Sequence, residues 1–204
     1  MADMDNTHGR EHKSKLGFLG YYWLLTFEQA SALHSLTEEC QRALDVTRFH
    51  SVHPDGLHLT LDRIAHRGEG VERLNLIESA ARRACADLVP FALTIEKLTN
   101  LGGAIGFAVS PAAPIRSLRD VLRTATQSVL PDAPVKDSQS DPHITIAYPL
   151  REGLSADAAA VAMRSEAAIE GVTMTVTEAV MVALERHEHS YSWSTEAQIR
   201  LAGR

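Results

Sequence analysis

Two short stretches of the 204-residue chain could do proton chemistry together: Leu57-His58-Leu59-Thr60-Leu61 and Pro142-His143-Ile144-Thr145-Ile146. An imidazole ionises near neutrality, so one ring can be neutral while another is charged. Two such rings across a cleft supply both proton transfers of phosphodiester cleavage, one from the incoming nucleophile and one to the leaving alcohol. A threonine hydroxyl two residues after each histidine can hydrogen-bond a phosphate oxygen as its charge shifts. No metal is required. A lone His-x-Thr is weak, since a single histidine on a half-buried strand is usually structural. Composition gives about a tenth of an apolar-flanked copy, so two arise by chance on the order of once in a hundred such chains. The catalytic candidates are therefore His58 and His143, with Thr60 and Thr145 on phosphate.

Positioning these groups requires strands. Both stretches alternate apolar and polar residues, the period of a β-strand, which puts each histidine and its threonine on one face and Leu or Ile in a core. The separation of His58 from His143 is an offset at which the rest of the chain also repeats in element type. Residues 28–44 carry Leu33, Leu36, Cys40 and Leu44 at helical spacing; residues 114–130 carry Ile115, Leu118, Leu122, Ala125 and Val129. Each of these helices precedes a His-x-Thr strand. A helix over 71–88, with Leu74, Ile77, Ala81 and Cys85 on one stripe, follows the first motif, and an Ala-rich helix over 155–169 follows the second. The implied unit is strand, helix, His-x-Thr strand, helix, strand, used twice about a pseudo-dyad that brings both histidines to one cleft. Residue identity between the halves is otherwise poor, so the repeat is one of architecture.

Composition bounds the rest. Apolar residues make up 45% of the chain, enough for one sizeable core. No run of about 18 apolar residues is present to span a membrane. Residues 1–17 read as a flexible polar tail without the apolar core of a secretory signal, which points to the cytoplasm, and 18–204 read as a single bilobal domain with lobes around 57–63 and 142–148. Cys40 and Cys85 fall on helical apolar stripes, where a free thiol is the ordinary occupant. A net charge of −6 argues against long-duplex nucleic acid as partner and leaves an RNA terminus or a small nucleotide. His50, His53, His58 and His66 crowd one region, but the spacing fits no zinc pattern, so neither metal nor cofactor is expected. A monomer is expected.

In chain order, 18–27 form an aromatic-rich opening strand in which Tyr22 or Trp23 could stack a base if its face meets the cleft; core burial is the commoner fate of such rings. Residues 46–56 form a loop into the first motif, and 131–142, with three prolines, Lys136 and Ser138, form a loop into the second, the kind that rims a site. Strands are expected over 91–98 and 104–110, joined by a turn-rich 99–103, then over 172–176, 180–184 and 191–201. Pro111 and Pro114 suit the start of the third helix. Asp62 shares the strand face of His58 and Thr60, where it could orient a histidine or sit in solvent. His187 and His189 flank Glu188 at an exposed hairpin tip.

The paired His-x-Thr strands resemble the 2H phosphoesterase superfamily, and within it the bacterial 2′-5′ RNA ligase and RNA 2′,3′-cyclic phosphodiesterase group. Tyr22-Trp23-Leu24-Leu25-Thr26-Phe27 and Phe91-Ala92-Leu93-Thr94 resemble its actinobacterial-type members. The resemblance implies a bilobal α+β fold whose antiparallel sheets line a central cleft with helices outside. It also implies hydrolysis of a 2′,3′-cyclic phosphate, with reversible 2′-5′ RNA joining in some members. Many relatives carry a basic residue five positions after each motif histidine. Arg63 holds that place in the first copy, but Tyr148 holds it in the second, keeping a hydroxyl and losing a charge. Strict alternation puts Arg63 and Tyr148 opposite the histidines, so they reach substrate only through a twist or bulge. The acidic pI and the missing second cation motivate two alternatives: a 2H phosphodiesterase acting on a cyclic oligonucleotide or another small cyclic phosphate, and a nucleotide-binding module without turnover.

Overall fold

The computed structural model describes residues 16–136, 141–151 and 171–203. The elements run β1 (Gly17–Thr26), α1 (Ser31–Arg42), β2 (Phe49–Ser51), β3 (His58–Ala65), α2 (Val71–Cys85), β4 (Phe91–Leu101), β5 (Ala104–Ser110), α3 (Ala112–Val129), β6 (His143–Pro149), β7 (Thr173–Val176), β8 (Glu178–Arg186) and β9 (Tyr191–Arg200). The expected tail, apart from its last two residues, the expected helix over 155–169 and Ser138 lie outside the described residues. The fold is α+β, with two sheets of antiparallel strands ordered β3-β1-β8-β9 and β2-β6-β5-β4-β7.

The duplication is visible in that order. β1 lies beside β3 in the first sheet as β5 lies beside β6 in the second, with α1 and α3 following β1 and β5. The last strand of each unit crosses over: β4 pairs with β5, and β8 pairs with β1. β3 and β6, the motif strands, meet where the sheets approach each other.

Most apolar positions join one core. Trp23 and Leu25 of β1, Phe27 just after it, Leu59 and Ile64 of β3, and Ile105, Phe107, Ile144 and Ile146 of the second sheet pack with Leu33, Ile77, Ile115, Leu118 and Leu122 of the helices. α2 and α3 pack on each other and against β9 and β3. Burying each Leu, Ile or Phe removes roughly 1.5–3 kcal/mol of unfavourable apolar exposure. A smaller cluster of Tyr22, Leu24, Val180, Val182 and Leu184 covers the other face of the first sheet. That face also carries Thr60, the direct cross-strand partner of Leu24.

Three local expectations change. β4 runs on to Leu101, because the reversal needs only Gly102 and Gly103, both at positive φ (76° and 119°), with Asn100 Oδ1 accepting the Gly103 N–H at 2.9 Å. The loop before His58 contains a three-residue edge strand, β2, paired with β6. Gly17 belongs to β1, so the first strand starts one residue ahead of Phe18. Cys40 and Cys85 are free thiols. Among the described residues no helix is long and apolar enough to cross a membrane.

Candidate active site

His58, Thr60, His143 and Thr145 line one cleft of about 310 Å³, together with Leu19, Tyr22, Leu101, Ala104, Lys136, Tyr148, Leu184 and Tyr191. The two rings are held in the same way. His58 Nδ1–H donates to the carbonyl of Gly56 at 2.8 Å, and His143 Nδ1–H donates to the carbonyl of Asp141 at 2.9 Å. A carbonyl only accepts, so each bond fixes the Nδ1–H tautomer of a neutral ring and leaves Nε2 for proton transfer. A 3₁₀ turn over Pro54–Gly56 brings the Gly56 carbonyl under His58. Tyr191 and Trp193 of β9 meet the His58 ring edge-on, with centroids 6.1 and 5.2 Å away.

Both motif strands then break their alternation at the same place. Trp23 pairs with Asp62 and Leu24 with Thr60, so Leu61 has no partner; Ile105 pairs with Ala147 and Gly106 with Thr145, so Ile146 has none. These bulges sit at corresponding positions, and each flips the residues beyond it to the other face. Tyr148 therefore joins His143 and Thr145 in the cleft. Arg63 turns to the Tyr22 side, its guanidinium 5.4 Å from that ring's centroid and donating to the Leu19 carbonyl at 2.9 Å. Gly106 permits the close approach of β5 to β6 here, since a Cβ on it would stand 2.5 Å from the Ile144 carbonyl oxygen.

The same flip corrects the reading of Asp62. It leaves the histidine face and is 1% exposed, with Oδ2 accepting from Arg123 Nε at 2.6 Å and Oδ1 accepting the N–H of Lys136 at 2.7 Å and of Arg63 at 2.9 Å. Trp23 is also corrected. It is fully buried with its Nε1–H donated to Thr126 Oγ1 at 3.0 Å, so Tyr22 is the ring of that pair that faces the cleft.

Lys136, Tyr191 and Trp193 at the site carry no motif. The alternation of Tyr191 and Trp193 along an expected strand is the available sign that they share a face; for Lys136 nothing beyond its loop position points to the cleft. A second chamber of about 480 Å³ opens beside His58, lined by His50, His53, Asp55, Tyr148, Tyr191 and Trp193. Its wall holds two further histidines: His50 lies 5.9 Å from His189, ring to ring, and His53 Nδ1 is 3.4 Å from Asp55. His189 is thus packed rather than free in solvent. Among the described residues no three His, Cys, Asp or Glu side chains are grouped to hold a metal ion.

Burial lowers the pKa of His58, and the nearby Lys136 and His143 push it the same way, against the Gly56 carbonyl, which favours the protonated form. Burial raises the pKa of Tyr148, with Tyr191 adding to it, so its hydroxyl remains a donor. Burial likewise raises Tyr22, against the attraction of Arg63.

A pair of facing imidazoles with paired hydroxyls is the constellation of a two-histidine phosphoesterase, and the family model for the 2′-5′ RNA ligase superfamily matches residues 28–188. The chain belongs to that superfamily. Among solved structures it is similar to TT0787 of Thermus thermophilus, with a TM-score of 0.67 at 17% identity, covering 90% of this chain and 98% of that one. It is also similar to E. coli LigT complexed with 3′-AMP, with a TM-score of 0.66 at 16% identity over 90% of this chain and 98% of the other. For LigT complexed with NADP+ the TM-score is 0.65 at 16% identity, over 91% and 99%. At these identities the likeness concerns the fold. No curated protein matches the chain.

Proposed function

We propose that the protein is a metal-independent phosphodiesterase that opens a 2′,3′-cyclic phosphate on an RNA end or a nucleotide. The observation that carries this is the matched pair of Nδ1–H bonds, which leave two Nε2 atoms available in one cleft beside two threonine hydroxyls. His58, with its lowered pKa, is the base: its Nε2 takes a proton from water as the water oxygen attacks phosphorus. The bond from phosphorus to one ribose oxygen breaks, and protonated His143 gives that oxygen its Nε2 proton. The products are a phosphomonoester and a free hydroxyl, and the two rings exchange protons with solvent to reset. Thr60 and Thr145 hold the non-bridging oxygens, and the Tyr148 hydroxyl stands beside them in the cleft.

The same transfers in the same order, with a 5′-hydroxyl of RNA attacking phosphorus in place of water and the ribose 3′-oxygen leaving, would join ends through a 2′-5′ bond. The cleft and its neighbouring chamber suit a nucleotide, and LigT, which shares the fold, has been crystallised with 3′-AMP, ATP and NADP+. The test is a panel of nucleoside 2′,3′-cyclic phosphates and cyclic-phosphate RNA ends, assayed in chelator against wild type, His58→Ala and His143→Ala. Activity that survives chelator and is lost with either histidine supports the reading; activity abolished by chelator overturns it.

A further inference from the structure

Tyr148 leaves β6 without the cation that Arg63 supplies on β3, yet the cleft between them is not short of positive charge. Lys136 reaches it from the loop after α3, lining the cleft with both histidines and both threonines. It also lines the adjoining hollow with Arg116 and Arg119. We propose that Lys136 is a third catalytic group, whose ammonium stabilises the charge that develops on the phosphoryl oxygens, and that Asp62 and Arg123 are the positioning residues that hold it there. The proposal rests on the two-histidine reading above.

What distinguishes Lys136 from a lysine on a surface loop is how its backbone is held. Its N–H donates to Asp62 Oδ1 at 2.7 Å, and its carbonyl accepts from Arg123 Nη2 at 2.7 Å. Arg123 Nε in turn donates to Asp62 Oδ2 at 2.6 Å, closing a ring of three bonds around one peptide segment. Asp62 is one of the few buried polar side chains, and desolvating a carboxylate is costly unless it is fully paired. Here the carboxylate is spent on the main chain of a loop residue whose side chain carries charge into the site. The ammonium itself has no hydrogen-bond or ion-pair partner among the described residues, so it is available to an anion.

The charged and titratable neighbours are consistent with this. His58 faces Lys136 from the loop, His143 and Tyr148 from β6, and Tyr191 from β9. Lys136 faces Asp62 and Arg63 from β3, with Arg116 and Arg119 of α3 and Asp141 around the adjoining hollow. Removing the positive charge of Lys136 should therefore raise the pKa of His58 as well as weaken the grip on phosphate.

The experiment compares Lys136→Met, Lys136→Arg and Asp62→Asn with wild type and with the two histidine variants, using a 2′,3′-cyclic nucleotide, inorganic phosphate as a binding probe, and NMR titration of the His58 ring. Only main-chain atoms of Lys136 are bonded, so Lys136→Met keeps the fold. It should lower kcat about 10²-fold, the usual loss when one preorganised electrostatic donor is removed. It should also weaken phosphate binding and move the His58 titration to higher pH, while Lys136→Arg restores part of all three. Asp62→Asn should lower kcat, and adding it to Lys136→Met should lower kcat little further, because both act through the same ammonium. Histidine variants that lose activity alongside a Lys136→Met enzyme with unchanged kcat and phosphate affinity would overturn this inference alone. Histidine variants that keep activity would overturn the reading beneath it.

Discussion

Ahead of His58 the chain is pinned at Val52 by neutral groups, and ahead of His143 it is pinned at Lys136 by charged ones. Val52 N–H donates to the carbonyl of the bulged Ile146 at 2.8 Å, and Gln41 of α1 donates through Nε2 to the carbonyls of both Val52 and Ile146, each at 2.8 Å. On the other side the bulge is followed by Asp62 where β6 has Ala147, and the helix contributes Arg123 where α1 has Gln41. In each half a loop is tied to the opposite motif strand by its N–H and to its own helix by its C=O. The neutral tie positions a strand; the ionic tie positions a strand and brings a cation into the cleft of the two histidines. A shared geometry has thus been given unequal chemistry, the asymmetry that the proposed division of two histidines into base and acid calls for.

Replacing the histidines is the strongest way to break this comparison. His58→Ala and His143→Ala should each lower kcat/KM by about 10²–10⁴-fold, with the double variant little worse than either single one. Their pH profiles should differ. A base works unprotonated, so kcat/KM rises as pH rises through the His58 pKa, and burial sets that acid limb below the ordinary 6.5. His58→Ala should erase the limb and His143→Ala should keep it; the reverse pattern would exchange their roles.

Next come the ties themselves, compared by urea unfolding. Asp62→Ala takes the buried carboxylate from Arg123 Nε and from the N–H groups of Lys136 and Arg63 and should cost about 3–5 kcal/mol, as for a broken buried pair. Gln41→Ala removes neutral donors and should cost about 1–3 kcal/mol. Equal losses would remove the distinction between the halves. Thr60→Val and Thr145→Val should each take about 1.5–3 kcal/mol from transition-state binding, read in kcat/KM, as hydrogen bonds to a charged group do. Tyr148→Phe is the mildest change, taking one neutral hydroxyl from the cleft, worth about 0.5–1.5 kcal/mol as a hydrogen bond to substrate, with a several-fold fall in kcat/KM.

The sequence carries the parts of this that periodicity can carry. His58, Thr60, His143 and Thr145 can be placed on strands, and α1, α2 and α3 found, because their apolar residues repeat at the strand and helix periods. The bulges at Leu61 and Ile146 leave no mark in a run of apolar residues, since a bulge is a property of the pairing with β1 and β5. Strict alternation consequently assigns the residues beyond them to the wrong face: Asp62 toward the site, Arg63 and Tyr148 away from it. Lys136 is hidden for a related reason, because what holds it is a carboxylate 74 positions earlier in the chain. Trp23 and Tyr22 cannot be told apart by type, and only the strand's orientation in the sheet separates a core ring from a cleft ring.

The exchange of β4 and β8 between units has a mechanical result. Two lobes joined by a linker can swing, and the gap between residues on their facing walls then varies with the hinge. Here the chain passes between halves through the β4–β5 hairpin, so each sheet is laced together from both units by main-chain ladders. Severing the loop at Gly102-Gly103 would leave two fragments, neither owning an intact sheet, and the spacing of the imidazoles is accordingly set by the packing of β3 against β6 over a shared core instead of by a linker.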